Sequence, residues 1–169
     1  MLIAPALEVG AGIGTMVERL DDWDLLPGGV RYTAVEVDER NVDAARDRLR
    51  ERGFRDDGDV LVREDVTVEF VADDAITFAR DADRRWDAVV GHAVLDLFDL
   101  DDALPAFRSA VPGGLCYFSV VFDGETGFEP PLARDDDVLA RYHEHLDEGE
   151  GSSRAGRRLL ARLPDRGVR

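Results

Sequence analysis

The sequence predicts an α/β fold built on a doubly wound, mostly parallel sheet. Apolar, strand-like runs alternate with segments of helical periodicity along most of the chain, which is the pattern of β-α-β units. The first such run ends in Leu7–Gly14, which carries glycines at three alternate positions, and a helix-like stretch, Thr15–Leu20, follows it. A strand that turns through glycines into a helix is typical of a nucleotide-cofactor site, because bare backbone can approach the ligand closely there.

The residues around these glycines indicate which kind of nucleotide the loop would bind. The dinucleotide fingerprint G-x-G-x-x-G requires a third glycine at position 15, where this chain has Thr15. The loop also begins with a carboxylate, Glu8, which suits a ligand bearing positive charge better than a pyrophosphate. The loop therefore favours a cationic ligand without phosphate over a dinucleotide.

A second strand ends in an acidic residue at the distance that a β-α-β unit needs. The run Tyr32–Asp38 is strand-like, and Glu36 follows Gly14 by about 22 residues. A carboxylate at the C-terminal end of this strand can accept hydrogen bonds from both hydroxyls of a ribose. We therefore predict that Glu36 binds the ribose of the cofactor.

The elements that follow have clear boundaries. A helix is predicted from Asp38, its N-cap, to Arg52, and Gly53 ends it. Its apolar positions share one face: Val42, Ala45 and Leu49. Further along the chain we predict a third strand at Val66–Val71, a fourth at Trp86–Gly91, a helix at Leu100–Ala110 and a fifth strand at Leu115–Phe122.

In this order, the elements resemble those of the class I S-adenosylmethionine-dependent methyltransferases. The likeness covers roughly residues 5–122 and includes the glycine loop, the acid after the second strand, Asp74 after the third strand and the turn Val111–Gly114 before the fifth. It implies a Rossmann-like methyltransferase fold with S-adenosylmethionine as cofactor, and it implies that Asp74 binds the adenine amino group. The implied cofactor-binding residues are Glu8, Gly10, Ala11, Gly12, Gly14, Glu36, Val37, Asp74, Ala75 and Gly91.

The C-terminal part of the chain departs from the family pattern. A complete class I sheet has seven strands, the last two forming an antiparallel hairpin. Here the sequence predicts five strands with that hairpin missing, because a helix at Ser152–Leu163 is followed by only a few residues. We expect a single domain over residues 1–169, with its core at 5–122 and a loop and helices at 123–169.

Candidate residues for the reaction lie beyond the fourth and fifth strands. His92 lies at the C-terminal end of the fourth strand, which we expect to face the transferable methyl group of the cofactor. The ordinary pKa of a histidine suits a general base. Ligands of open α/β sheets bind at the carboxyl ends of the strands, so we name Asp96, Asp123 and Phe128 as substrate-side candidates. We predict no metal site: in the run Tyr142–His145 the two histidines are two apart and do not share a helix face.

We therefore predict an S-adenosylmethionine-dependent methyltransferase that acts on a small molecule. One alternative is a module that binds S-adenosylmethionine without catalysis of its own, which the missing hairpin favours. The other is an NAD-type oxidoreductase, against which Thr15 and Glu8 argue.

The composition excludes some partners and indicates an environment. The formal net charge is −16, all 21 basic residues are arginine, and acidic pairs are spread along the whole chain. A dispersed acidic surface is typical of proteins adapted to high internal salt, so we expect a haloarchaeal source. No basic footprint for nucleic acid is visible.

The single cysteine, Cys116, and the absence of a long apolar run predict a cytoplasmic protein outside the membrane. The oligomeric state stays open.

The acidic surface predicts a salt-dependent fold. Dispersed carboxylates repel one another over a Debye length that shrinks from about 30 Å at 0.01 M salt to about 3 Å at 1 M. We expect the melting temperature to rise steadily as KCl is added from dilute buffer to molar concentration. Circular dichroism melts would measure this, with KCl rather than sulfate because sulfate also strengthens apolar burial. A melting temperature independent of KCl would contradict the expected high-salt origin.

Overall fold

A mixed β-sheet with helices forms the framework of the molecule. The structure is a computed structural model that describes residues 5–119, 122–124 and 127–162. The strands in these ranges are β1 (Ala6–Val9), β2 (Arg31–Glu36), β3 (Arg55–Asp57), β4 (Val60–Arg63), β5 (Val66–Ala72), β6 (Ala88–His92) and β7 (Leu115–Ser119). The helices are α1 (Thr15–Asp22), α2 (Glu39–Glu51), α3 (Ala75–Asp81), α4 (Leu100–Ala110), α5 (Asp135–Asp147) and α6 (Ala155–Arg162), with a short 3-10 turn, η1, at Leu95–Leu97.

The strand order confirms the predicted doubly wound α/β fold. It runs β3-β4-β5-β2-β1-β6-β7, and the pairs β1–β2, β1–β6 and β2–β5 are parallel. β1 is therefore an internal strand of the sheet, and the strand order reverses beside it. The carboxyl ends of β1 and β2 lie side by side there, because Val9 pairs with Val35. In open α/β sheets this switch point is where ligands bind.

The predicted number of strands was wrong. Seven strands lie within the described residues instead of five, because β3 and β4 form an antiparallel hairpin between α2 and β5. The strand β3 consists of three exposed charged residues, so it carries no apolar pattern. It is held by backbone pairing with β4 across a tight turn, in which Gly58 adopts a φ of 64°. Within the described ranges β7 is the last strand, and α5 and α6 follow it.

The predicted helix after β2 is confirmed in detail. Asp38 is its N-cap, and its side chain accepts a hydrogen bond from the backbone N–H of Arg40 at 3.0 Å. The apolar positions of α2 are buried: Val42, Ala45 and Leu49. Gly53 follows the helix with a φ of 88°, a conformation that favours glycine. The Asp38 cap and Gly53 thus set the two ends of α2. Its buried apolar residues are on the side that packs against β5 and β2.

Ion pairs to a buried glutamate connect α1 to α2 and its C-cap residue. Glu18 on α1 is almost fully buried, and its carboxylate accepts hydrogen bonds from the guanidinium groups of Arg48 and Arg52. A buried carboxylate without a partner is strongly destabilising, and the charge-assisted hydrogen bonds from these two arginines offset its desolvation. The first helix after the glycine loop is therefore held in place by charge as well as by its apolar face.

The described residues divide into two compact units. The first comprises the residues up to His92 together with Leu104–Tyr117, and it contains the glycine loop. The second comprises Ala93–Ala103 together with the residues from Phe118 onward. Within the second unit, the first residues of the α6 region are fixed by a hydrogen bond from the Ser152 N–H to the carbonyl of Asp96 at 2.9 Å. The expectation of one domain over 1–169 stays a prediction.

The two edge strands of the sheet differ in chemistry. β3 is charged throughout, whereas β7 has the sequence Leu-Cys-Tyr-Phe-Ser and carries no charge. Two of its large side chains are about half exposed: Leu115 and Tyr117. Natural edge strands usually carry charges that prevent pairing with another chain.

No described helix is long and apolar enough to cross a lipid bilayer.

Candidate functional site

Three glycines shape the loop between β1 and α1. Gly10, Gly12 and Gly14 have φ values of 67°, 55° and 77°, all in the left-handed region. A Cβ atom on Gly14 would also lie 3.1 Å from Cβ of Ala45 and 3.2 Å from Cζ of Phe70. A Cβ atom on Gly12 would meet nothing within 4 Å, so the space beside Gly12 is open. The loop thus combines a tight turn with backbone that a ligand can approach.

The Glu36 carboxylate joins the glycine loop to the end of β2. Its Oε2 accepts a hydrogen bond from the N–H of Gly12 at 2.9 Å, and its Oε1 accepts one from the N–H of Asp38 at 3.1 Å. The side-chain amide of Asn41 is 3.4 Å from Oε1. A carboxylate offers about four lone-pair positions, so Glu36 retains capacity for a further donor such as a hydroxyl. The structure places Glu36 where the sequence predicted it, at the switch point.

Exposed apolar side chains flank this carboxylate. Val37, the next residue after Glu36, is 76% exposed, and Ile13 on the glycine loop is 39% exposed. Exposed apolar groups beside hydrogen-bonding groups are typical of small-molecule sites, where they contact the flat parts of a ligand. Both therefore fit a ligand that carries an aromatic base and a ribose.

The segment after β5 lies next to β2. The N–H of Asp73 donates a hydrogen bond to the carbonyl of Glu36 at 3.1 Å. Asp74 is the N-cap of α3, since its Oδ1 accepts a hydrogen bond from the N–H of Thr77 at 2.8 Å, and its side chain is exposed. Ala75, the first residue of α3, is buried. Capping α3 thus occupies one oxygen of Asp74, while the exposed carboxylate remains accessible to a ligand.

Gly91 occupies the other side of the switch point. It lies in β6 and pairs with Val9, directly before the glycine loop. The structure therefore brings the glycine loop, Glu36, Val37, the Asp74 segment and Gly91 to the carboxyl ends of neighbouring strands. That these residues bind the cofactor stays a prediction.

Glu8 faces a protein partner. It is 3% exposed, and its Oε2 accepts a hydrogen bond from the hydroxyl of Tyr32 at 2.9 Å. Burial raises the pKa of Glu8 from 4.5 to about 7, an effect that the hydrogen bond from Tyr32 reduces. Contact between Glu8 and a cationic ligand therefore stays a prediction, because this carboxylate lies inside the fold. Sequence reasoning missed Tyr32, whose hydroxyl shares a sheet face with Glu8 only after β1 and β2 pair in register.

His92 lies at the end of β6 beside an apolar groove. The groove has a volume of about 340 Å³, and its lining includes Val90, Leu115 and Tyr117. The rings of His92 and Tyr117 are in edge-to-face contact, with centroids 6.1 Å apart. Partial burial lowers the pKa of His92, because desolvation disfavours the charged imidazolium. His92 is therefore a neutral imidazole near pH 7, the form that can accept a proton.

The three substrate-side candidates all belong to the second unit. Asp123 is paired: its Oδ1 accepts hydrogen bonds from the backbone N–H and Nε of Arg157, at 2.6 and 3.0 Å. The Oδ1 of Asp96 is buried and has no hydrogen-bond partner within the described residues. Phe128 is 46% exposed. Asp123 therefore holds the start of α6, whereas Asp96 and Phe128 stay predictions for substrate contact.

The structure also places together three aromatic residues that sequence reasoning did not connect. Phe122, Tyr142 and His143 have ring centroids within 6.0 Å of one another. The sequence offered only the spacing of His143 and His145, considered for a metal. Within the described ranges no group of three or more metal-binding side chains is arranged to hold an ion.

Comparison with known proteins identifies the family. A family model described as a methyltransferase domain matches residues 7–118, so the chain belongs to this family. This confirms the predicted class of protein, and with it S-adenosylmethionine as the cofactor that methyltransferase domains use. No protein of curated function gives a significant match.

Solved structures share the fold. The DhpI-SAM-HEP complex has 22% sequence identity and a TM-score of 0.57, with 97% of this chain and 70% of that chain covered. The plantazolicin methyltransferase BpumL, in complex with a triazolic desmethylPZN analog and SAH, has 14% identity and a TM-score of 0.57, with 86% of this chain and 50% of that chain covered. The chain thus spans about half the length of the plantazolicin enzyme. At these identities the likeness shows the fold alone.

The buried Glu8 predicts a pH-dependent stability difference. The pKa of Glu8 is about 7 in the folded state and 4.5 in the unfolded state, so the folded state holds the proton more tightly. This difference stabilises the fold fully below pH 4.5, and the contribution is lost as the pH rises through about 7. We expect Glu8→Gln to become progressively more stable than the wild type between these values, by up to about 3 kcal/mol at pH 8. Urea unfolding at fixed KCl and several pH values would measure the difference.

The matched control for Glu8→Gln is Glu39→Gln, which removes the same charge from an exposed position. Its stability curve should run parallel to that of the wild type at every pH. If the Glu8→Gln curve also ran parallel, Glu8 would not carry the raised pKa that its burial implies.

Proposed function

We propose that this chain binds S-adenosylmethionine at the glycine loop and Glu36 and transfers its methyl group to a small molecule. The observation that carries the proposal is the clamp between Glu36 and Gly12, because it presents a carboxylate and open backbone together at the switch point. The match of residues 7–118 to the methyltransferase domain family supports the same conclusion.

Each residue of the site has a role in binding. The Glu36 carboxylate would accept hydrogen bonds from the ribose hydroxyls, and the exposed side chain of Val37 would contact the adenine. Asp74 would accept a hydrogen bond from the adenine amino group with the oxygen that does not cap α3. Gly10, Gly12 and Gly14 keep the loop free of side chains where the ligand approaches.

The bound cofactor would supply an electrophilic methyl group on a sulfonium centre. The chain's own contribution is to orient the acceptor and to remove its proton. We assign the role of proton acceptor to the imidazole of His92, since partial burial lowers its pKa and so favours the neutral ring. Asp96 and Phe128 are the substrate-side candidates, and a nucleic acid partner stays unexpected because of the acidic surface.

The alternatives differ from this proposal in measurable ways. A binding module without catalysis would bind the cofactor but release no methylated product. An oxidoreductase would bind NAD, which Thr15 disfavours because it replaces the third glycine of the dinucleotide fingerprint. The family match supports the methyltransferase over both.

Calorimetry with Glu36 variants tests the cofactor site. Replacing Glu36 by alanine removes the acceptor of the ribose hydroxyls and the anchor of Gly12, which should weaken the binding of S-adenosylhomocysteine by roughly 1.5–3 kcal/mol. Glu36→Gln keeps one acceptor oxygen and should lie between alanine and the wild type. Glu39→Ala, which removes an exposed charge from the adjacent helix, should bind as the wild type does.

Two results would contradict the cofactor assignment. One is a heat of binding for NAD together with none for S-adenosylhomocysteine. The other is unchanged affinity in Glu36→Ala, provided that circular dichroism shows the variant to be folded.

Replacing His92 tests the proposed base. His92→Ala should keep the affinity for S-adenosylhomocysteine, yet lower methyl transfer by the ~10²–10⁴-fold typical of a lost general base. The acceptor would first be found by screening metabolite extracts for methyl incorporation from labelled cofactor. The matched control is His145→Ala, which removes an exposed histidine on α5 and should leave the rate unchanged. A wild-type rate in His92→Ala would exclude this role, and binding without incorporation in any extract would favour the non-catalytic module.

A further inference from the structure

The apolar groove of the first unit runs along β6 and ends at His92. Its floor consists of small residues, because Ala6 on β1 pairs with Ala88 on β6 and both side chains are buried. Alternate residues of a strand share one face of the sheet, so Val90 and His92 continue the same line along β6. Two neighbouring alanines leave a depth that larger side chains would fill.

Apolar side chains form both walls of the groove. One wall consists of Met16 and Leu20 on α1. The other consists of Leu115 and Tyr117 on β7, which are 47% and 53% exposed. All the residues that line the groove belong to the first unit, which also contains the glycine loop. The groove is therefore complete within one unit and open to solvent.

The size of the groove suits a small organic molecule. Its volume of about 340 Å³ is near the lower end of the range of small-molecule sites, roughly 300–1,000 Å³. The floor strand from Ala88 to His92 is about 13 Å long, at roughly 3.3 Å per residue. Methionine adapts its shape to different occupants, and Met16 lies directly on one wall.

The charges of the chain favour an uncharged occupant. Among the described residues that line the groove, none is an acid or an arginine, whereas the chain as a whole carries a net charge of −16. An anion would be repelled by the acidic surface as it approached. A protonated amine would lose its hydration on entering an apolar groove, which costs free energy.

The His92 end of the groove determines which group can react. His92 follows Gly91, and Gly91 pairs with Val9 directly before the glycine loop, so the groove reaches the switch point of the sheet. Of the uncharged groups that need a base before they can accept a methyl group, a phenol suits imidazole best. A phenol loses its proton at a pH of about 10, as tyrosine does, whereas an aliphatic hydroxyl is far less acidic.

We propose that this groove binds an apolar phenol as the methyl acceptor, with its carbon skeleton between α1 and β7 and its hydroxyl at His92. The phenol oxygen forms a bond to the methyl carbon as the carbon–sulfur bond breaks. The electron pair of that bond stays on sulfur, and the phenol proton moves to the imidazole of His92. The role as acceptor rests on the proposed function, whereas binding in the groove stands on the lining residues alone.

A matched pair of probes tests the groove without any cofactor. Thymol is an apolar phenol that is uncharged at neutral pH, and para-cymene has the same carbon skeleton without the hydroxyl. Both would be titrated into the wild-type chain at fixed KCl while NMR follows the methyl signal of Met16 and the ring signals of Tyr117. We expect saturable shifts with both probes, and at least about 2-fold tighter binding of thymol because of its hydrogen bond to His92. The ring signals of Tyr142, in the second unit, should not move.

Variants separate the apolar wall from the histidine. Leu115→Glu places a carboxylate in the wall at a half-exposed position, and should weaken the binding of both probes at least about 5-fold. Leu160→Glu is the matched control, since it adds the same charge at a position that is 70% exposed on α6, and it should bind both probes as the wild type does. His92→Phe keeps a ring but removes the hydrogen bond, so the preference for thymol over para-cymene should disappear.

Three results of these titrations would overturn the proposal. They are no binding of either probe, unchanged affinity in a Leu115→Glu variant that circular dichroism shows to be folded, and a preference for thymol that persists in His92→Phe. Mass spectrometry tests the role as acceptor, because a chain supplied with S-adenosylmethionine should convert thymol to its methyl ether. A chain that binds both S-adenosylhomocysteine and thymol but forms no methyl ether would overturn that role.

Failure of this proposal and failure of the proposed function are distinguishable. Probe binding in a chain that does not bind S-adenosylhomocysteine would refute the proposed function and keep the groove as a binding site for apolar phenols. Binding of S-adenosylhomocysteine without binding of either probe would refute the groove and keep the cofactor site.

Discussion

The hydrogen bond from the Gly12 N–H to the Glu36 carboxylate is the contact on which the rest of the site depends. The glycine loop has three residues in left-handed conformations, and such a loop has many other conformations open to it. Glu36 restricts it by joining its middle to the end of β2, while Ala11 donates a backbone hydrogen bond to Val35 of the same strand. A single carboxylate thus orders the loop, and in the proposed site the same group would offer acceptors to the ligand.

Preorganisation of this kind has an energetic effect on binding. A loop that is already held in its binding conformation loses less conformational entropy when a ligand arrives. The buried ion pairs of Glu18 contribute in the same way, since they fix α1 directly after the loop. Gly14 adds a steric constraint, because a Cβ atom there would lie 3.1 Å from Ala45 and 3.2 Å from Phe70, and its φ of 77° disfavours other residues. Charge, hydrogen bonding and packing therefore act together on one turn.

The parts of the fold predicted from sequence are those governed by local chemistry. The glycine loop, the Asp38 cap and the apolar stripe of α2 each depend on residues within a few positions of one another, so their patterns are visible in the chain. The hairpin of β3 and β4 was not predicted, because three exposed charged residues carry no strand periodicity. The burial of Glu8 and the ring contacts among Phe122, Tyr142 and His143 were missed for a different reason. Their partners lie about 20 or more residues away, and only the paired sheet and the packed helices bring them together.

The two edge strands of the described sheet differ in charge, and this difference bears on how copies of the chain would associate. Mutual repulsion between copies that each carry a net charge of −16 is strong in dilute buffer and is screened in molar salt. β3 keeps its own charged side chains under both conditions, whereas β7 exposes Leu115 and Tyr117 without any charge nearby on the strand. We expect the salt that stabilises the fold also to screen the long-range repulsion that opposes edge-to-edge association through β7. Folding stability and solubility would then respond to salt in opposite directions.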